Sequence, residues 1–289
     1  MNPLTLPSTL VHVKRALAIL LSATAFSPLA AQKAAEAFEA KTFQDGDFTL
    51  HYRIHVPKDL PPDTKIPLVL FLHGAGERGD NNIRQLHHGI PSLLAYIKKN
   101  HIPAILLAPQ CPVGMQWVAV PWGGDAHTMP DSPTPALQAV QKLLAQTMTE
   151  FPVDPSRVYL TGISMGGFGT WDFLQRNPEL FAAALPICGG GDTAQAAKLT
   201  SIPIWTFHGG KDTTVKTQRS RDMVEAVKTA GGTLIQYTEY PEVAHNSWTQ
   251  TYNNDEVLDW LFSQKKTALE PTALPPSGGH SATGNSSAP

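Results

Sequence analysis

Three short stretches of this 289-residue chain carry side chains that together could act on a carbonyl group. The first is Gly162-Ile163-Ser164-Met165-Gly166, a Gly-x-Ser-x-Gly pattern. A serine hydroxyl becomes a useful nucleophile only when a base takes its proton and a third group orients that base. The apolar run Arg157–Gly162 before Ser164, and a helical pattern with Trp171 and Leu174 after it, put the serine on a sharp strand-to-helix turn. Neighbours with a Cβ would clash on such a turn, so the glycines have a steric purpose. The Met165 N–H then falls at a helix N-terminus, where negative charge is stabilised.

The second and third stretches supply a base and an acid. Only His208, His245 and His280 follow Ser164. His280 lies in a polar tail. His208 ends a buried strand, with only Asp172, Glu179 and Asp192 as acids between it and the serine. His245, in Val243-Ala244-His245-Asn246-Ser247-Trp248 after the last strand, is therefore the expected base. Chain order on a strand–turn–helix sheet of this kind runs Ser, acid, His. Asp212, reached from the strand Ile204–His208 through Gly209-Gly210-Lys211, is the expected acid. Asp192 is the alternative, with capping of a helix from Thr193 as its competing role, and Glu242 is third because it lies so near His245 in sequence. Leu72-His73-Gly74-Ala75-Gly76, after an early buried strand, offers an oxyanion donor from Ala75 or Gly74, to pair with Met165 N–H. His73 precedes the serine and reads as a structural histidine. Glu77 and Arg78 read as an ion pair that fixes this turn. A dinucleotide or phosphate-cradling reading fails, because neither glycine spacing is present.

The elements that must position these groups are legible as apolar runs. Strands are expected at Thr49–Val56, Leu68–His73, Ala104–Ala108, Arg157–Gly162, Ala183–Cys188, Ile204–His208 and Thr233–Tyr240. From Leu68 onward most are continuously apolar, as strands buried on both faces are. Helices fill the gaps. One is capped by Thr134 with Pro135 at its first position and ends at Phe151-Pro152. Stripes at Met223, Val227 and Ala230, and at Val257, Leu258 and Leu261, mark two more. Strand–helix alternation predicts an α/β fold, a single domain whose doubly wound, mostly parallel sheet is flanked by helices. Ligands in such folds sit at the carboxyl ends of the strands.

Composition excludes several function classes. Charged residues make up 16%, the formal net charge is -2 and 42% of residues are hydrophobic. No basic cluster suggests nucleic acid as a partner. Residues 1–31 are expected to be a signal peptide: Lys14 and Arg15, an apolar run Ala16 to Phe26, then small residues. The run is too short for a membrane span. Residues 267–289, rich in Pro, Ser, Gly, Ala and Thr, are expected to be a disordered tail. The catalytic domain is then 32–266, in a secreted or periplasmic protein. The two cysteines, Cys111 and Cys188, are too few for a disulfide scaffold and are read as free packed thiols. No metal site and no cofactor are expected. The long loop Gln110 to Pro133 carries Met115, Trp117 and Trp122; with Trp248 it could wall the substrate site, ordinary packing being the competing reading.

Taken together, His73-Gly74-Ala75-Gly76-Glu77-Arg78-Gly79, Ala108-Pro109-Gln110-Cys111-Pro112, Gly162-Ile-Ser164-Met-Gly166-Gly167, His208-Gly209-Gly210-Lys211-Asp212 and His245-Asn246-Ser247-Trp248 resemble the α/β-hydrolase superfamily. More narrowly they look like its secreted carboxylesterase branch, near polyhydroxybutyrate-depolymerase-like and feruloyl-esterase-like enzymes and predicted peptidases of prolyl-oligopeptidase type. The resemblance spans about residues 45–265. It implies Ser164 as nucleophile, His245 as base, Asp212 as acid, Ala75 and Met165 as oxyanion donors, and a small-molecule or polymeric ester as substrate. A serine peptidase, a polyester depolymerase and a non-catalytic binding module are the alternatives.

Overall fold

The computed structural model describes residues 28–266. The expected signal segment 1–31 lies outside them apart from Pro28 to Ala31, and the expected tail 267–289 lies outside them entirely. Eight strands form one sheet: β1 Glu39–Asp45, β2 Phe48–His55, β3 Ile66–Leu72, β4 Ile105–Gln110, β5 Val153–Ile163, β6 Ala183–Ile187, β7 Ile204–Gly209 and β8 Ile235–Tyr240. The order across the sheet is β1-β2-β4-β3-β5-β6-β7-β8. β1 and β2 are antiparallel to their neighbours, and every pairing from β4 to β8 is parallel.

Among the described residues, seven α-helices accompany them: α1 Pro28–Ala35, α2 Ile90–Lys99, α3 Pro135–Glu150, α4 Met165–Arg176, α5 Gln218–Thr229, α6 Trp248–Tyr252 and α7 Asp255–Ser263. Every residue of β3 is buried, which is why its sequence, Ile-Pro-Leu-Val-Leu-Phe-Leu, shows no alternation. Leu68, Leu70 and Leu72 face one side, where Leu137, Val140 and Leu144 of α3 and Met223 of α5 pack. Val69 and Phe71 face the other, against Leu93 of α2 and Val257, Leu258 and Leu261 of α7. Each such buried side chain contributes about 1.5–3 kcal/mol. Thr134 Oγ1 accepts from Leu137 N at 3.2 Å and Pro135 opens α3, the expected cap.

β1 has no counterpart among the expected strands. Its residues, Glu-Ala-Lys-Thr-Phe-Gln-Asp, are exposed or half-buried throughout, so no apolar pattern announces it. It pairs with β2 from Glu39↔Ile54 to Asp45↔Phe48, around a turn with Gly46 at φ 59°. The Asp45-Gly46-Asp47 turn was the readable signal for this hairpin. At the other end of the domain, Lys266 N donates to Ser156 O at 2.9 Å and its Nζ to Glu179 O at 2.7 Å, both near where β5 and β6 begin.

Candidate active site

Because β3, β5, β6, β7 and β8 run parallel, their carboxyl ends lie on one edge of the sheet. Ser164 follows β5 directly and has φ 53° and ψ -117°, a backbone conformation an L-residue adopts only under strain. The strain is held by close packing. A Cβ on Gly166 would stand 1.9 Å from Leu72 O, so only glycine lets α4 lie against the end of β3. Ser164 N donates to Ile187 O at 2.9 Å, and Phe168 N donates to Ser164 O at 3.0 Å.

The structure brings Ser164, His245 and Asp212 into a chain. Ser164 Oγ is 2.9 Å from His245 Nε2, and His245 Nδ1 is 2.7 Å from Asp212 Oδ2. These residues are 81 and 33 positions apart in sequence. Gly209 makes the second approach feasible: a Cβ there would meet Ala244 O at 2.0 Å, from the loop that carries His245. Lys211 N donates to Val243 O at 2.9 Å, tying the two loops together. Burial alone would raise the Asp212 carboxyl pKa. Hydrogen bonds from His208, His245 and the N–H groups of Val215 and Thr214 overcome it and hold the group far below the ordinary carboxylate range. Asp212 is therefore ionised and orients the His245 ring with Nδ1–H toward it.

The other candidates fall into structural places. Asp192 caps the turn Thr193–Leu199, its Oδ1 accepting from Ala194 N at 3.0 Å, and its Oδ2 accepts from Met129 N at 2.9 Å. Glu242 is exposed and pairs with Lys211. His73 is fully buried: Nε2 accepts from Cys111 N at 2.9 Å, so Nδ1 carries the proton it donates to Gly74 O at 2.6 Å. Burial pushes its pKa down to about 4, which keeps it neutral. Cys111 and Cys188 are free and buried, and burial pushes both thiols up to about 12. The expected Glu77–Arg78 pair does not form. Glu77 faces His88 at 3.6 Å, while Arg78 donates to Ala75 O at 2.9 Å and Met115 O at 3.2 Å. Arg78 thus ties the Ala75 turn to the long loop through backbone oxygens.

Ala75, half-buried, begins the short turn Ala75–Glu77 after β3, and Met165 is the first residue of α4. An N–H at the first position of a helix has no intrahelical acceptor and is available to an oxyanion. Among the expected wall residues, Trp117 requires a correction. It is fully buried in the core, its Nε1 donating to His73 O at 3.0 Å, and so cannot line a substrate site. Its size and its anchored indole favoured the interior. Trp122 and Trp248 are half-buried. The Arg78 guanidinium lies 5.9 Å from the Trp122 ring, and Trp248 stands edge-on to His245 at 5.4 Å. The loop from 111 to 134 is fastened to the body: buried Arg219 donates to Gly124 O at 3.1 Å and Gly191 O at 3.4 Å, and Arg176 to Pro130 O at 2.6 Å. Sequence reasoning set His208 aside. The structure puts its Nε2 3.2 Å from Asp212 Oδ2, and the His-x-x-x-Asp spacing after a strand was the signal for it.

A model of the dienelactone hydrolase family matches residues 124–270, just over half of the chain and the part that contains Ser164, Asp212 and His245. The chain belongs to the dienelactone hydrolase family. Among solved structures, this dienelactone hydrolase family member is similar to a thermostable esterase at 40% identity and TM-score 0.75, over 81% of this chain and 64% of that one. It shares its fold, at 13% identity and TM-score 0.59, with a feruloyl esterase module from Clostridium thermocellum, over 81% and 90% of the two chains. Among characterised sequences it is 28% identical over 167 residues to a bifunctional acetylxylan esterase/xylanase of Neocallimastix patriciarum. A shorter stretch of 52 residues is 38% identical to poly(3-hydroxyalkanoate) depolymerase C of Paucimonas lemoignei. The matches span 57% and 18% of this chain but only 22% and 13% of those two proteins. Among the described residues of this family member, no helix is long and apolar enough to cross a membrane.

Proposed function

We propose that the protein is a serine carboxylesterase that hydrolyses its ester through an acyl-enzyme intermediate. The observation that carries this reading is the unbroken chain from Ser164 Oγ through His245 to Asp212, mounted on a strained turn at the strand ends. Ser164 Oγ attacks the ester carbonyl while His245 Nε2 takes its proton. Asp212 stabilises the imidazolium without itself being protonated. The oxyanion is held by the N–H groups of Met165 and Ala75. His245 then returns the proton to the leaving alcohol, and a water activated by the same imidazole releases the acid. The His245 side chain is 23% exposed, so the base is reached from solvent and an ester group on a small molecule or on a polymer can approach it. Two relatives, named for acetylxylan and poly(3-hydroxyalkanoate), point to polymer-borne esters. The order of residues 1–31, charge then apolar run then small residues, supports action outside the cytoplasm.

A fluorophosphonate probe tests the reading. It is expected to label Ser164 in the folded protein and no residue in Ser164→Ala, whose turnover of p-nitrophenyl acetate should fall at least about 10³-fold. Folded protein that stays unlabelled would refute it. Faster cleavage of peptide anilides than of p-nitrophenyl esters would transfer the same residues to a peptidase.

A further inference from the structure

His208 ends β7 and is fully buried. Its Nε2 faces two oxygens, Asp212 Oδ2 at 3.2 Å and Val215 O at 3.0 Å. Both are acceptors, so this nitrogen carries a hydrogen. Its Nδ1 lies 2.7 Å from Ser220 Oγ at the start of α5, and the Ser220 hydroxyl also has Gly189 O within reach at 3.3 Å. Asp212 Oδ1 is already occupied by the N–H groups of Thr214 at 2.8 Å and Val215 at 3.0 Å. Asp212 Oδ2 therefore serves two imidazoles at once, His245 at 2.7 Å and His208 at 3.2 Å.

We propose that His208 is a positioning residue that sets the basicity of His245: by donating to the shared oxygen of Asp212, it weakens that oxygen's pull on the His245 N–H and keeps His245 neutral to lower pH. The inference rests on the proposed roles of Ser164, His245 and Asp212. Hydrogen bonds compete for one carboxylate oxygen, and each donor it accepts lowers its basicity toward the next. Two other titratable groups pack here, and neither substitutes for His208. The Cys188 thiol has its sulfur within 4.8 Å of the Asp212 and His245 ligand atoms, but burial keeps it protonated. Glu239 stands beside His208 in the β7–β8 register, but it is engaged by Arg221 at 2.7 Å and Tyr237 at 2.6 Å.

The test compares kcat/KM for p-nitrophenyl acetate against pH in the wild type, His208→Leu, His208→Gln and Ser164→Ala. In His208→Leu the acidic limb is expected to move to higher pH by about half to one unit, the size of part of one charge-assisted hydrogen bond. His208→Gln, whose amide N–H can reach the same oxygen, should bring the limb back toward the wild-type position. A role in packing alone would lower the plateau and leave the limb in place, which would overturn the inference provided Ser164→Ala is inactive. An active Ser164→Ala would instead refute the reading on which it rests. A wild-type measurement covers the case in which the leucine variant does not fold. Nitrogen-15 spectra of the histidines should find a hydrogen on His208 Nε2, and an unprotonated Nε2 would overturn the inference.

Discussion

Asp212 shows how a single side chain is specified by its surroundings. Its carboxylate accepts four hydrogen bonds, from His245, His208, Thr214 and Val215. Replacing it with asparagine keeps the shape but presents an amide N–H that favours the wrong His245 tautomer. Asp212→Asn is therefore expected to lower kcat by about 10³–10⁴-fold with little change in KM, measured on p-nitrophenyl acetate. The residues that meet at this point were legible as Ser164, Asp212 and His245, because a strand end, a glycine pair and chain order narrow the choice to few candidates. The second donor on Asp212 was not, since a histidine at a strand end has the same sequence signature whether it packs or donates. Trp117 was misread for a related reason. A tryptophan in a long loop looks free to meet a ligand, and only its bond to His73 O places it in the core.

Among the elements, close backbone contacts carry the site. The N-terminus of α4 rests on the end of β3 through Gly166, and the His245 loop rests on the end of β7 through Gly209. Gly166→Ala is expected to destabilise the fold by about 3 kcal/mol or more, read by urea unfolding, because a methyl group would sit 1.9 Å from Leu72 O. The long loop makes a different prediction. Arg219→Met removes the bonds to Gly124 O and Gly191 O, so backbone amides from Gly124 to Met129 should exchange with solvent faster while those of β3 stay protected. The strands β3, β4, β6 and β7 and the second half of β5 were readable because their residues are almost all buried and their apolar runs are nearly unbroken, whereas the edge strand β8 buries only Ile235. β1 was not readable: with one strand neighbour and no buried residue, it carries no hydrophobic pattern, and only the glycine turn before β2 betrays it. α2 escaped for want of a capping side chain, since Gly89 supplies its N-cap.

For the whole molecule, pH is the telling variable. Burial lowers the pKa of His55, His73, His87, His88 and His127, with His73 and His127 pushed down to about 4. Each binds a proton in the unfolded chain near pH 6.5 before it does so in the folded one. Their contribution to stability is thus complete above about pH 6.5 and is lost as pH falls through the folded values. Once the unfolded histidines are charged, each one that remains neutral in the fold removes up to about 1.4 kcal/mol per pH unit. Asp154 follows at lower pH. Burial would raise its pKa, but bonds from Ser156 and Arg157 bring it down to about 2, so its contribution is lost between about pH 4 and 2. The melting temperature should fall in two stages, from pH 6.5 to 4 and again below 4. A flat profile down to pH 4.5 would contradict the first stage. The anchoring of Lys266 has a practical side as well. Its bonds to Ser156 and Glu179 hold it where β5 and β6 begin, the edge of the sheet opposite Ser164. A surface or carrier attached at position 266 would therefore hold the protein by its back and leave the serine facing outward, toward whatever insoluble material is brought to it.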